Sequence, residues 1–107
     1  MCIRDSNIHS QDIASFIYEF IKNPRSGEVY NIGGGIENTC SIIEAFEIIS
    51  SLSGKKMNYS YCETNRIGDH ICYYSDLSKI NEHYPNWTIK KDLKQIFKDI
   101  YLSWIKR

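Results

Sequence analysis

The chain has 107 residues, of which 42% are hydrophobic and 24% are charged, and its 13 Lys and Arg residues balance 13 Asp and Glu residues. This length fits one globular domain and excludes a complete enzyme with separate cofactor and substrate domains. The zero net charge gives no electrostatic footprint for nucleic acid or anionic lipid. No apolar run reaches the roughly 20 residues of a membrane span, and no secretory signal opens the chain, so the sequence predicts a cytoplasmic protein without nucleic-acid or membrane partners.

The first six residues stand apart from the patterned sequence that follows them. They are similar to adapter-derived sequence at the start of translated metagenomic reads, and the regular pattern begins only at Asn7. We therefore expect residues 1–6 to be a non-native leader and residues 7–107 to be the folded region.

The first predicted helix begins at Ser10, whose hydroxyl is a candidate N-cap, and ends before Asn23 and Pro24. Its apolar residues recur at helical spacing on one face: Ile13, Phe16, Ile17, Phe20 and Ile21. Residues 28–32 then predict a short strand, which Gly33, Gly34 and Gly35 terminate.

The second predicted helix opens with a capping box at Ser41 and Glu44 and stops at Gly54. Alternation over residues 57–61 predicts a second strand, and residues 71–74 predict a third.

Two further helices are predicted in the last third of the chain. A short one covers residues 75–83, and a longer one starts at about Lys91 and carries an apolar face through Trp104. The pattern is an α/β fold of about four helices and three short strands. Such short strands cannot form a sheet with both faces covered, so we expect an incomplete fold with a missing partner on the N-terminal side.

The glycine triplet, Gly33 to Gly35, has two interpretations. It could cradle a phosphate between a strand and a helix, or it could form a turn with positive φ angles. A dinucleotide fingerprint runs directly into its helix, whereas five residues without glycine intervene here, so the turn is favoured.

A second candidate site is the loop at residues 66–69. Arg66 and Asp69 can place a guanidinium and a carboxylate on one side of a turn, where the first would fit a diphosphate and the second would accept hydrogen bonds from sugar hydroxyls. The alternative is a surface ion pair that closes the loop, and from the residues alone this alternative is the more common.

Neither the histidines nor the cysteines form a recognisable site. His9 and His70 could each act as a general base, but neither has a partner at a fixed spacing. A zinc site would have to combine Cys62, His70 and Cys72 with Cys40 without a C-x-x-C pair, so we expect no metal and free thiols.

Four stretches of the chain carry a family resemblance: residues 7–14, 29–35, 66–69 and 74–79. Together they resemble the extended short-chain dehydrogenase/reductases, in particular the C-terminal third of NAD-dependent nucleotide-sugar epimerases and dehydratases. They occur in the order and spacing of that family, and with residues 85–87 they span nearly all of residues 7–107. Within that family, residues 7–10 and 66–77 are most similar to the CDP-paratose (CDP-tyvelose) 2-epimerase branch.

The resemblance implies that Arg66 and Asp69 bind the diphosphate and ribose of a nucleotide diphosphate-sugar. It implies an NAD-binding Rossmann domain and catalytic residues that precede this region, so we assign neither catalytic nor cofactor-binding residues here. The intact parent would be an isomerase and a homodimer or higher homo-oligomer, and the fragment alone would be inactive. A nucleotide-sugar 4-epimerase or 4,6-dehydratase fragment is the alternative within the fold. A non-catalytic interaction module is the alternative of another class.

Overall fold

The computed structural model describes residues 4–107 as a small, helix-rich mixed domain. Within these residues the order is β1 (Asp5–Ser6), α1 (Ser10–Lys22), β2 (Thr39–Cys40), α2 (Ile42–Ser53), α3 (Ser78–His83) and α4 (Leu93–Ile105). A 3₁₀ turn at Ile36–Asn38 precedes β2, and β1 and β2 form a two-stranded antiparallel sheet. This composition is consistent with the predicted α/β class.

The four predicted helices are present, with small corrections at their starts. The N-cap of α1 is His9 rather than Ser10, because the His9 Nδ1 atom accepts the Gln11 N–H at 3.0 Å. Helix α3 starts three residues later than predicted, since the Asp76 carboxylate accepts the Ser78 N–H at 3.0 Å and holds the preceding chain in a turn. Asp92 caps α4 by accepting the Gln95 N–H at 2.8 Å.

The predicted capping box of α2 is confirmed. The Ser41 hydroxyl accepts the Glu44 N–H at 3.2 Å, and the Glu44 carboxylate accepts the Ser41 N–H at 2.8 Å. Gly54 closes the other end in the left-handed conformation, with φ of 69°. These local signals fix both ends of α2 without help from the rest of the fold.

Replacing Glu44 with Gln should reduce the loss of stability on acidification. The Ser41 N–H, assisted by the Arg4 guanidinium, lowers the pKa of Glu44 below its ordinary value against the opposing effect of burial. A carboxyl whose pKa is lower in the folded chain stabilises the fold above its unfolded pKa, and this stabilisation disappears as pH falls through the folded pKa. Thermal melts between about pH 6 and pH 3 should therefore show a shallower decline for Glu44→Gln than for wild type.

The control is Glu47→Gln, which removes an exposed carboxylate from the same helix without touching the cap. Identical pH slopes for wild type and Glu44→Gln would contradict the role given to this carboxylate.

The three predicted strands are not formed. Residues 28–32, 57–61 and 71–74 have no ladder of hydrogen bonds, apart from one isolated parallel bridge between Arg4 and Cys72. A strand needs a neighbour for its backbone groups. Among the described residues, segments 28–32 and 57–61 have none, and residues 71–74 have only Arg4. Tyr30 and Ile32 pack their side chains against the core instead.

The two strands that do form were not predicted. Asp5 pairs with Cys40 and Ser6 pairs with Thr39. Strand β1 thus falls within residues 1–6, the expected leader, of which residues 1–3 lie outside the described residues. The non-native origin of residues 1–6 stays a prediction.

The core is a cluster of aromatic and aliphatic side chains between α1 and the segment that contains α3. Ile80, Tyr84 and Trp87 are buried, and Phe16 of α1 lies edge-on to both Tyr84 and Trp87, with ring centroids 5.3 and 5.6 Å apart. Partly buried apolar residues complete the cluster: Ile8, Phe20, Tyr30, Ile32, Leu77 and Ile89. Helix α2 packs separately against α4.

A buried carboxylate fastens the C-terminal segment to α1. Asp12 is 2% exposed, and its two oxygens accept the backbone N–H groups of Lys90 and Lys91 at 3.1 and 3.0 Å. The Trp87 indole N–H donates to the Asp12 carbonyl oxygen and to the Ser15 hydroxyl, both at 3.0 Å. The first turn of α1 is therefore the docking point for residues 87–91.

Candidate functional site

The loop at residues 66–69 forms a tight turn closed by its own ion pair. Gly68 has φ of 82°, a conformation that favours glycine, and the Asp69 N–H donates to the Arg66 carbonyl oxygen at 3.3 Å. The Arg66 Nη2 atom lies 2.8 Å from Asp69 Oδ1, and Nε lies 3.3 Å from Oδ2. The structure thus brings the two predicted site residues into direct, two-point contact.

The two side chains differ strongly in exposure. The Arg66 side chain is 83% exposed, whereas the Asp69 side chain is 15% exposed. A bidentate guanidinium–carboxylate pair on the surface contributes little to stability, about 0–1 kcal/mol. The arrangement presents a cation to solvent and keeps its carboxylate partner largely covered.

The other three stretches named in the sequence meet at one place, which we call the glycine junction: Asn7, Gly33, Gly34, Gly35, Asn38 and Ser75. The buried Ser75 hydroxyl accepts the Gly35 N–H at 3.0 Å. The Asn38 side chain donates to the Gly34 carbonyl oxygen and accepts the Leu93 N–H, each at 3.0 Å. The Asn38 carbonyl oxygen accepts the Asn7 N–H at 3.0 Å.

The sequence predicted positive φ angles as the reason for three consecutive glycines, whereas the contacts at the glycine junction give a different reason for two of them. Only Gly35 of the three has a positive φ, 70°. At Gly33 a methyl group would press on the Ser75 side chain, and at Gly34 it would overlap the Asn7 carbonyl oxygen. Close backbone approach therefore requires glycine at these two positions.

The same packing tests whether the triplet could hold the pyrophosphate of NAD. A dinucleotide-binding glycine leaves room for the ligand beside its missing side chain. Here Ser75 and Asn7 already fill that room. The triplet therefore does not fit the cofactor, and we assign it no part in NAD binding.

A broad cleft of about 1120 Å³ borders the glycine junction, and Arg66 and Asp69 are not among its lining residues. Asp76 lies at its edge, where the Ser78 N–H and hydroxyl lower the pKa of the Asp76 carboxyl. The walls of the cleft are formed by residues 34–38, 74–78, 81, 87–90 and 92. The cleft and the Arg66–Asp69 turn are thus separate features.

The two histidines considered as general bases, His9 and His70, occupy structural positions. His9 caps α1, and its Nε2 atom lies 3.7 Å from an Asp99 oxygen that Lys91 also contacts at 2.9 Å. His70 lies edge-on to Tyr73 in the exposed loop. Neither arrangement places a nucleophile beside an imidazole that a carboxylate orients.

One pair on α1 has the Tyr-x-x-x-Lys spacing that carries proton transfer in short-chain dehydrogenase/reductases, and it is not among the site residues predicted above from the sequence. The pair is Tyr18 and Lys22. The Lys22 ammonium lies 4.6 Å from the centre of the Tyr18 ring and pairs with Glu19 at 3.0 Å, a contact that raises the pKa of Lys22. Both residues are exposed, and neither lines the cleft.

The described residues contain neither a metal-binding cluster nor a membrane-spanning helix. Among residues 4–107, no group of three or more His, Cys, Asp and Glu side chains is placed to hold a metal ion. No helix in this part of the chain is long and apolar enough to cross a membrane. No protein-family model matches the sequence, and no curated protein matches it.

Proposed function

We propose that this chain is the C-terminal, substrate-binding part of an NAD-dependent nucleotide-sugar epimerase, with Arg66 as the contact to the diphosphate. The observation that carries the proposal is the turn at residues 66–69, which holds an exposed guanidinium in a defined orientation. Guanidinium groups bind phosphate oxygens through two parallel hydrogen bonds, so this geometry suits a diphosphate.

The meeting of the other three stretches supports the proposal. Residues 7–14, 29–35 and 74–79 are far apart in sequence, yet each contributes to the glycine junction. If these stretches pack against one another in every member of a family, the packing explains why they occur there in a fixed order. Ser75 leads directly out of the segment that carries Arg66, so the junction also anchors the candidate site to the fold.

Exposed apolar side chains support the idea of a larger parent enzyme. Apolar patches of this kind mark surfaces that another domain or chain covers. The residues concerned lie on α1, on α2, on α4 and in the segment 57–74, and they include Ile17, Ile21, Ile43, Tyr61, Ile71 and Trp104. We propose that a dinucleotide-binding domain precedes this region and holds NAD, which in the intact enzyme accepts and returns a hydride.

The part played by this chain is binding and orientation. Binding energy from the nucleotide end of a substrate holds the sugar in place for reaction elsewhere on the molecule. The fragment alone would not catalyse epimerisation. We place the enzyme in the cytoplasm as a homodimer or higher homo-oligomer, and the unbonded thiols of Cys40, Cys62 and Cys72 suit a reducing compartment.

The test is nucleotide binding by the full chain. Wild type should bind CDP in calorimetric titration, and Arg66→Ala should weaken binding by about 10- to 100-fold, since it removes charge-assisted hydrogen bonds. Arg25→Ala removes an exposed cation elsewhere on the surface and should leave affinity within about twofold. Equal losses for both variants would show nonspecific charge attraction and contradict the proposal.

The same titration, repeated with CDP, UDP and dTDP, identifies the nucleotide that the chain prefers. We propose the CDP-paratose (CDP-tyvelose) 2-epimerase branch, because residues 7–10 and 66–77 resemble it most. Tighter binding of UDP or dTDP than of CDP would favour a 4-epimerase or a 4,6-dehydratase instead. A folded chain that binds no nucleoside diphosphate would favour a non-catalytic interaction module, which the exposed apolar residues also suit.

A further inference from the structure

The Arg66 guanidinium has two hydrogen-bonding edges, and Asp69 occupies only one of them. The occupied edge is formed by Nε and Nη2, which contact the two Asp69 oxygens at 3.3 and 2.8 Å. The opposite edge, formed by Nη1 and the second Nη2 proton, has no hydrogen-bond partner among residues 4–107 and belongs to a side chain that is 83% exposed. A phosphate can bind this outer edge without displacing the carboxylate.

Asp69 is poorly placed to bind a ligand itself. Its side chain is only 15% exposed, and both of its oxygens already accept hydrogen bonds from Arg66. A ligand that approaches from solvent meets the guanidinium first. We infer that Asp69 is a positioning residue: it holds the Arg66 guanidinium with its outer edge toward the diphosphate and does not contact the ribose. This inference rests on the proposed function and departs from the ribose contact that the resemblance implied.

The turn at residues 66–69 allows Asp69 to restrain the Arg66 side chain. Gly68 in its left-handed conformation brings residues 66 and 69 together, so the carboxylate is held by the backbone and in turn restrains the arginine. An unrestrained arginine loses rotamer freedom when it binds a ligand, and a side chain ordered beforehand avoids that loss. Asp69 should therefore increase affinity for an anion even though it carries a negative charge.

The direction in which anion affinity changes when the Asp69 carboxylate is removed separates positioning from simple electrostatics. If charge alone mattered, removing a carboxylate beside an anion site would tighten anion binding. If Asp69 positions Arg66, Asp69→Asn should weaken it. Glu63→Gln provides the matched control, because it removes an exposed carboxylate from the same segment, three positions before Arg66.

The experiment compares inorganic pyrophosphate with CDP, since only CDP has a ribose. Calorimetric titrations of the full chain should show both ligands weakened by Asp69→Asn to the same extent, about three- to tenfold. In an Arg66→Ala background the further change on Asp69→Asn should disappear. Glu63→Gln should leave both affinities unchanged or slightly tighter.

Three results would overturn the inference, and they are distinguishable. Loss of CDP binding with unchanged pyrophosphate binding would show that Asp69 contacts the nucleoside directly, and unchanged or tighter binding of both ligands would show that charge dominates. Wild type that binds neither ligand would remove the proposed function and this role together. The Arg66 Nε–H signal in NMR spectra is read without ligand: slow solvent exchange in wild type and fast exchange in Asp69→Asn supports the restraint, and equal exchange contradicts it.

Discussion

Trp87→Ala is expected to lower the free energy of unfolding by about 3–5 kcal/mol, the usual cost of truncating a buried aromatic residue. Trp87 is 3% exposed and packs edge-on against Phe16. Its indole N–H also donates to the Asp12 carbonyl oxygen and the Ser15 hydroxyl. The variant therefore loses packing and both indole hydrogen bonds to the first half of α1, although the Asp12 carbonyl oxygen still accepts the Ser15 hydroxyl at 2.8 Å.

A loss of this size is a large fraction of the stability of a small domain, about 5–15 kcal/mol. Urea denaturation followed by far-UV circular dichroism should show a markedly lower midpoint or a chain that is already unfolded in water. The control is Trp104→Ala, because Trp104 is 65% exposed and contacts Arg107 at the end of α4. That variant should cost less than about 1 kcal/mol. Equal decreases in the free energy of unfolding for Trp87→Ala and Trp104→Ala would contradict the place of Trp87 in the core.

Gly34→Ala is expected to destabilise the chain by about 3 kcal/mol or more, at the upper end of the range for inserting a methyl group where no space exists. The new methyl group would overlap the Asn7 carbonyl oxygen and press on the Asn38 side chain. Neither can move freely, because Asn38 also bonds the start of α4 through the Leu93 N–H. The glycine junction must therefore open to admit the methyl group.

Gly27→Ala serves as the comparison. Gly27 has φ of 74° but nothing within 4 Å of an added methyl group, so its substitution carries only the conformational cost of about 1–2 kcal/mol. Hydrogen exchange should show faster exchange of the Gly35 and Leu93 amides in Gly34→Ala and unchanged exchange at these amides in Gly27→Ala. Slow exchange at both amides in Gly34→Ala would show that the junction tolerates the methyl group.

Helices and strands could be predicted where the interactions that form them join residues close together in sequence. Helix α2 was predicted at both ends because its capping box and its terminal glycine lie next to it in sequence. The strand expected at residues 57–61 is not formed, because alternation describes a side-chain pattern and does not provide a neighbouring strand. Residues 5 and 6 gave no strand signal, and they pair only because the chain returns at residues 39 and 40.

The same distinction applies to the candidate site. The contact between Arg66 and Asp69 follows from their spacing of three around a glycine, and both proposed roles of the pair could be stated from the sequence. The sequence could not predict that Arg66 contacts the ligand while Asp69 positions Arg66, because this inference depends on the unequal exposure of the two side chains. The parts of the glycine junction were named separately, yet nothing local indicates that Asn38 joins them or that Asp12 reaches Lys90 and Lys91 across the chain.

The docking of Trp87 on Asp12 sets the order of events during synthesis. The two residues are 75 positions apart, and α1 has its buried face against the segment that contains Tyr84 and Trp87. At about 5–20 residues per second, roughly 4–15 s pass between the appearance of α1 and that of its partner segment. During this interval Phe16 and Phe20 lack the side chains of Tyr84 and Trp87 that cover them in the fold, so this part of the nascent chain is exposed to chaperones and to aggregation until residues 84–87 have been made.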